Sequence, residues 1–194
     1  KEAADIILRL CGDMIKDLGD PDAVQVLSPV KKQPFVGVEA LNQALQELLN
    51  PDRGGSRMED GNRVFRIRDK VMQTKNQGEI SNGDIGVVED IWLSKENGKE
   101  MSVRYPDGRI QNYGKEDLGM LNHAYAITVH KSQGSEYPVV ILPVLPSFYK
   151  MLRRNVLYTA VTRASKKVCL VGSTSSLIHA IYRNDVGKRN TRLA

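Results

Sequence analysis

Apolar residues recur at helical spacing over residues 1–18, where Ile6, Ile7, Leu10, Cys11, Met14, Ile15 and Leu18 form one stripe. Gly19-Asp20-Pro21-Asp22 stops the run. Val24 to Leu27 then reads as a short strand, ended by Ser28-Pro29. Helical spacing returns over 38–49 through Val38, Leu41, Leu45, Leu48 and Leu49, and Asn50-Pro51-Asp52-Arg53-Gly54-Gly55 breaks it. Beyond the break the period shortens. VFRI, DKVMQ, GDIGVVEDIWL, KEMSVRY and GRIQNY, within 64–113, alternate as strands and are separated by the turn-forming stretches NQGEISNGD, ENG and PDG.

From residue 119 the longer period resumes. The pattern predicts strands at 124–127, 139–144 and 167–172 and helices at 150–164 and 174–183. Ser173 or Thr174 is placed to cap the last helix, with Leu177, Ile178 and Ile181 turned inward. With Val24–Leu27 this makes four candidate parallel strands with interleaved helices, an α/β domain in three layers. Five short strands in about fifty residues are too few for a sandwich but enough to close a small SH3-like β-barrel. The expected organisation is therefore an α/β domain of residues 1–61 and 119–194, interrupted by a barrel at 62–118.

The apolar fraction of 41% suits a packed core, and no run approaches the roughly 18 apolar residues of a membrane span, so no membrane partner is expected. Cys11 and Cys169 lie far apart in helix-like and strand-like surroundings, which points to buried thiols in a reducing, cytoplasmic setting. The net charge of +5 is unevenly spread. Residues 143–194 hold ten Lys or Arg against the single Asp185, a formal +9 that leaves −4 for the preceding part. Such an excess at one end suggests a surface facing a polyanion, although a solvated basic tail over Gly187–Ala194 has the same composition.

The chemistry concentrates in 123–142, HAYAITVHKSQGSEYPVVIL. Two apolar strands flank a polar turn, in the place where open α/β sheets bind ligands. Thr128, His130 and Lys131 offer a hydroxyl, an imidazole and an ammonium, which can all engage phosphate oxygens without reading bases. Three histidines and no Cys or carboxylate cluster argue against a metal site, and Ser132 has no base–carboxylate pair to make it a nucleophile. No GxxxxGK[ST] phosphate cradle is present: Gly98-Lys99, Gly114-Lys115 and Gly187-Lys188 lack both the upstream glycine and the following Ser or Thr. The chain by itself is therefore not expected to hydrolyse ATP.

TVHKSQGSEYPVV at 128–140 and LYTAVTRA at 157–164 resemble motifs V and VI of superfamily 1 helicases, in the spelling of the RecD-type members that move 5′ to 3′. The resemblance runs from VLSP near residue 27 to LVGS near 173, and NRVFRIRDKVMQ at 62–73 is similar to the family's lead-in to an inserted SH3-like barrel, with Arg68 where glycine is usual. It implies a RecA-like parallel sheet with flanking helices, the second motor domain of an ATP-dependent DNA helicase of repair or recombination. It also implies ATP and Mg2+ as cofactors, bound mainly by a first motor domain of the same polypeptide.

On this resemblance Arg163 is the arginine finger, and Gly134 and Glu136 approach the nucleotide, Glu136 at its sugar. Thr128, His130 and Lys131 hold the backbone of single-stranded DNA, and Lys31 and Lys32, in the loop after VLSP, face DNA or the cleft. Asn42 would brace that loop. In the barrel the DNA candidates are Arg66, Arg68, Lys70 and Arg104, with Arg63, Lys75 and Arg109 beside them and Trp92, Tyr105 and Tyr113 as either stacking or core aromatics. The implied partners are single-stranded and 5′-tailed duplex DNA, the first motor domain, and a single-strand-binding protein. Two alternatives share these motifs: an inactive single-strand-binding or structural module, and part of a conjugative relaxase–helicase.

Overall fold

The computed structural model describes residues 1–95 and 98–183. Lys188, Arg189 and Arg192 of the basic end, with Asp185, lie outside the described residues. The chain forms two compact units, one of Lys1–Val38 with the part from Ile127 onward, the other of Glu39–Ala126.

In the first unit, strands β1 (Val24–Ser28), β9 (Ala126–Thr128), β10 (Tyr137–Val144) and β11 (Ala164–Gly172) form a sheet in the order β11-β10-β1-β9. β10 lies parallel to both β1 and β11. All five β1 residues are buried, and Val139 to Val144 are buried without a break, as expected for central strands covered on both faces. Helix α1 (Glu2–Leu18) lays Ala4, Ile7 and Cys11 inward and ends on Gly19 in the left-handed conformation. Leu18, at the end of the expected stripe, is exposed.

Helix α3 (Arg154–Val161) is shorter than the 150–164 expected, because Pro146–Phe148 form a separate 3-10 turn and Thr162 closes the helix. Helix α4 (Thr174–Tyr182) is capped by Ser173, whose hydroxyl accepts from the Ser176 amide. Its inner face is Ser176 and Ala180. Ile178 and Ile181, expected inside, are 49% and 44% exposed, because small residues fill the close approach and the isoleucines fall on the other side.

In the second unit a hairpin of β2 (Arg57–Asp60) and β3 (Arg63–Arg66) accompanies an antiparallel sheet. That sheet comprises β4 (Lys70–Gln73), β5 (Ile85–Ser94), β6 (Gly98–Arg104), β7 (Ile110–Tyr113) and β8 (Leu121–His123), in the order β7-β6-β5-β4-β8. Its core includes Phe65, Val71, Ile80, Val88, Met101, Val103, Leu118 and Leu121. Tyr105 and Tyr113 belong to this core, at 2% and 0% exposure, with their hydroxyls 2.7 Å apart. Burial and that hydrogen bond push the Tyr105 phenol well above its ordinary pKa. Neither ring has a face to offer a nucleobase, so their reading as stacking residues is corrected to core; Trp92 is half-buried.

Helix α2 (Val38–Leu49) presents Leu41, Asn42, Leu45 and Gln46 inward and packs with this unit, so the compact unit is wider than the 62–118 segment. Asn42 does not brace the lysine loop. Its amide donates to the His123 and Ala126 carbonyls at 3.0 and 2.9 Å, and its oxygen accepts from the Ala126 amide at 2.8 Å.

Candidate nucleotide and nucleic-acid interface

The polar turn after β9 is a 3-10 turn over Val129–Ser132, whose three-residue period sets its burial. Val129 and Ser132 turn inward, and the Ser132 hydroxyl donates to the Val129 carbonyl at 2.7 Å. His130, Lys131 and Gln133 are exposed in consequence. Thr128 caps this 3-10 turn, its hydroxyl accepting from the Lys131 amide at 3.3 Å. Gly134 follows with φ 86°, and a Cβ there would meet nothing within 4 Å, so the turn asks for glycine because of its backbone angle. Glu136 is exposed at its end.

Arg163 sits in the junction between α3 and β11, which lies against the start of β10. The Tyr137 amide donates to the Arg163 carbonyl at 2.8 Å, and the Arg163 Nη1 donates to the Ser135 carbonyl at 3.2 Å. Its Nε is buried without a partner, and among the described residues no carboxylate forms an ion pair with it. The guanidinium is thus held by neutral groups, the Ser135 carbonyl at Nη1 and the Thr162 hydroxyl at 3.4 Å from Nη2, and keeps further N–H donors for an anion. Beside it, burial pushes the Tyr137 phenol above its ordinary pKa, against the pull of Ser135 and Arg163.

Residues 41–105 match the ATP-dependent RecD-like DNA helicase SH3 domain, and residues 123–171, which hold the turn and Arg163, match the UvrD-like helicase C-terminal domain. The chain thus joins a segment similar to the RecD-like helicase SH3 domain to one similar to the UvrD-like helicase C-terminal domain. The ATP-dependent RecD2 DNA helicase of Deinococcus radiodurans is 40% identical over 182 residues, 93% of this chain and 24% of that protein. The RecD subunit of the RecBCD enzyme from Buchnera aphidicola is 29% identical over 158 residues, 80% and 26% of the two chains. Conjugal transfer protein TraA of Rhizobium radiobacter is 30% identical over 181 residues, 89% and 16%. The chain thus spans about a quarter or less of these relatives' length. Among solved structures, Bacteroides Pif1 bound to single-stranded DNA superposes with a TM-score of 0.57 at 15% identity, over 92% of this chain and 50% of that one, which shows a shared fold.

Thr128, His130, Lys131, Gly134 and Glu136 lie along one turn, and Arg163 is tied to it through the Ser135 carbonyl. Lys31 and Lys32 do not join them. They are exposed in the loop after β1, and β1 runs parallel to β10 with Val24 beside Val139, so that loop lies at the carboxyl end of the sheet while Arg163 and Ser135 lie at the amino end. The eight residues of β10 separate the two ends by roughly 25 Å.

The cations of the second unit do not form one open basic face. Lys70 is only 8% exposed, in the interior strand β4. Arg66 donates to the Asn50 carbonyl at 2.9 Å and pairs with Glu47 at 2.5 Å. Arg104 Nε donates to Glu89 at 2.9 Å, and Arg109 pairs with Asp84 at 3.0 Å and Asp107 at 2.5 Å. Arg68 remains exposed, at φ 74°.

A residue that the motif reading passed over organises this unit. Asp69 is fully buried. Its Oδ2 accepts from Gln46 at 2.6 Å, from the Arg66 amide at 2.8 Å and from His123 Nε2 at 3.2 Å, and its Oδ1 accepts from Asn50 and Tyr125, both at 2.8 Å. Burial alone would raise its pKa, but the hydrogen bonds from His123, Asn50 and the Arg66 amide outweigh it and hold the carboxyl below its ordinary value. His123, stacked on Phe65 at 4.8 Å, is thereby a structural partner. The signal in the sequence was a lone acid between Arg68 and Lys70 at the start of an apolar strand. Among the described residues, no group of three or more His, Cys, Asp or Glu is placed to hold a metal ion.

Proposed function

We propose that this chain is the second motor domain of an ATP-dependent 5′-3′ DNA helicase. In this reading it supplies an arginine finger to a nucleotide held mainly by a first motor domain of the same polypeptide, together with Mg2+. The observation that carries the reading is Arg163: a guanidinium held by the Ser135 carbonyl and the Thr162 hydroxyl, with no carboxylate pair among the described residues, in the junction next to the Ser135–Tyr137 turn. Such a group can place two or more N–H donors on terminal phosphate oxygens and offset the charge that gathers there as the P–O bond breaks. ATP supplies that phosphoryl group. Glu136 accepts from the sugar hydroxyls, and Gly134 lets the backbone approach. Thr128, His130 and Lys131 take the DNA backbone, a grip independent of sequence.

Closure of the cleft would bring Arg163 into place, and reopening would release it, so alternating grips on DNA become movement in one direction. The test is steady-state ATPase of the helicase polypeptide that carries both motor domains, with saturating single-stranded DNA. Arg163→Ala is expected to lower kcat by about 10³-fold with DNA affinity within twofold. An ATPase that tolerates Arg163→Ala would sink the finger assignment. The kinship with TraA favours a second reading, as the motor part of a conjugative relaxase–helicase; a DNA-nicking activity in the same polypeptide would distinguish it.

A further inference from the structure

The end of the parallel sheet opposite Arg163 carries a feature that neither folding nor the phosphate chemistry explains. The loop between β1 and α2, Val30–Gly37, is closed on itself. The Ser28 hydroxyl donates to the Val36 carbonyl at 2.9 Å, the Val38 amide to the Val30 carbonyl at 3.1 Å, and the Gly37 amide to the Gln33 carbonyl at 3.1 Å. Val36 is buried, and a Cβ on Gly37 would fall 2.4 Å from the Gln33 nitrogen, so chain packs directly on chain. Within this rigid loop the Val36 amide donates to the Pro34 carbonyl at 2.9 Å, closing a three-residue turn in which Phe35 holds φ 68°, an angle at which a bulky L side chain is strained. Its ring is 54% exposed and stacks on no aromatic ring among the described residues.

Phe35 is thus a strained residue with more than half of its surface turned to solvent, an arrangement that asks for a role outside the chain's own core. Lys31 and Lys32, both exposed, precede it in the same loop. Tyr149, which follows β10 at the same end, has its ring taken up by His179 at 4.1 Å and by Arg183 at 5.2 Å. Phe35, by contrast, stacks on no aromatic ring among the described residues and shares its loop with two exposed lysines. An open ring next to lysines, held rigidly beyond the carboxyl ends of parallel strands, is the chemistry that receives an unpaired base and its phosphates.

We propose that Phe35 is a base-stacking residue which, with Lys31 and Lys32, forms a second contact for single-stranded DNA, at the end of the parallel sheet opposite Arg163. This rests on the DNA-binding reading above. The test compares the full chain with its Phe35→Gly and Phe35→Tyr variants, using thermal melting, anisotropy of a labelled single strand, and 2-aminopurine fluorescence within that strand. Phe35→Gly relieves the backbone angle, so it should melt at or above the parent temperature while losing the 2-aminopurine signal and on the order of 10-fold in affinity; Phe35→Tyr should keep both. A glycine variant that binds and stacks like the parent overturns the proposal, and so does one that melts lower, since the ring would then be structural. Absence of single-strand binding by the parent would overturn the broader DNA reading and this one with it. Parent binding with an indifferent Phe35→Gly overturns this one alone.

Discussion

Asp69 shows how one residue can hold a unit together. Five donors from α2, the β3–β4 turn, β8 and Tyr125 converge on a carboxylate that is 0% exposed. Replacing it by alanine leaves those donors buried and unanswered, and Asp69→Ala is expected to cost about 3–5 kcal/mol, read as a lower urea midpoint. The sign of the pH effect follows from its depressed pKa. A carboxyl held below its ordinary 3.8 adds stability that is complete above that value and is lost as pH falls through the folded-state value. Urea titrations from pH 6 down to 2 should therefore show the parent losing stability below about pH 4. Asp69→Asn, already weakened, should lack that acid-dependent component; equal acid slopes in the two proteins would refute the assignment.

At the scale of elements, the turn from β3 to β4 puts an arginine at a backbone angle that favours glycine. Arg68 takes φ 74°, and its amide still donates to the Val88 carbonyl at 2.7 Å, so the hydrogen-bonded turn imposes the left-handed angle on a residue that resists it. Arg68→Gly is expected to stabilise the protein by about 1 kcal/mol, a rise in melting temperature of about 2–4 °C. A lower melting temperature would mean that the arginine side chain contributes contacts worth more than the strain. The same scale explains why α3 stops short. Arg163 is an arginine in a junction, with its amide on the Ala160 carbonyl at 3.2 Å and its own carbonyl taken by Tyr137, and this fixes its direction better than a fraying helix end would.

At the scale of the molecule, charge and fold answer different questions. The sequence places ten lysines and arginines where DNA contacts were expected, and tertiary structure sorts them: Lys131 is exposed on its turn, Lys70 is buried in a sheet, and Arg66 and Arg104 are paired with glutamates. Binding of single-stranded DNA should then weaken linearly in log Kd against log salt. Lys131→Ala should reduce that slope by roughly 0.7, the value for one phosphate contact on a single strand, whereas Lys70→Ala should leave the slope unchanged and lower stability. The reverse pattern would place the contact in the β-rich unit. No helix among the described residues is long and apolar enough to cross a membrane.

What the sequence determined by itself was local or periodic. The bounds of α1 and α2, the order of the strands, the change of period after residue 55 and the two helicase motifs all depend on neighbours within a few residues. For the same reason the turn at 128–136 was legible, since its polar residues are contiguous between two apolar runs. Only tertiary structure decided which polar groups are available. The burial of Lys70, the hub at Asp69, the hydroxyl pair of Tyr105 and Tyr113, the outward isoleucines of α4 and the separation of Lys31 and Lys32 from Arg163 each depend on residues distant in the chain. Burial, pairing and strand direction are set by the packing of whole elements, and no window of sequence contains them.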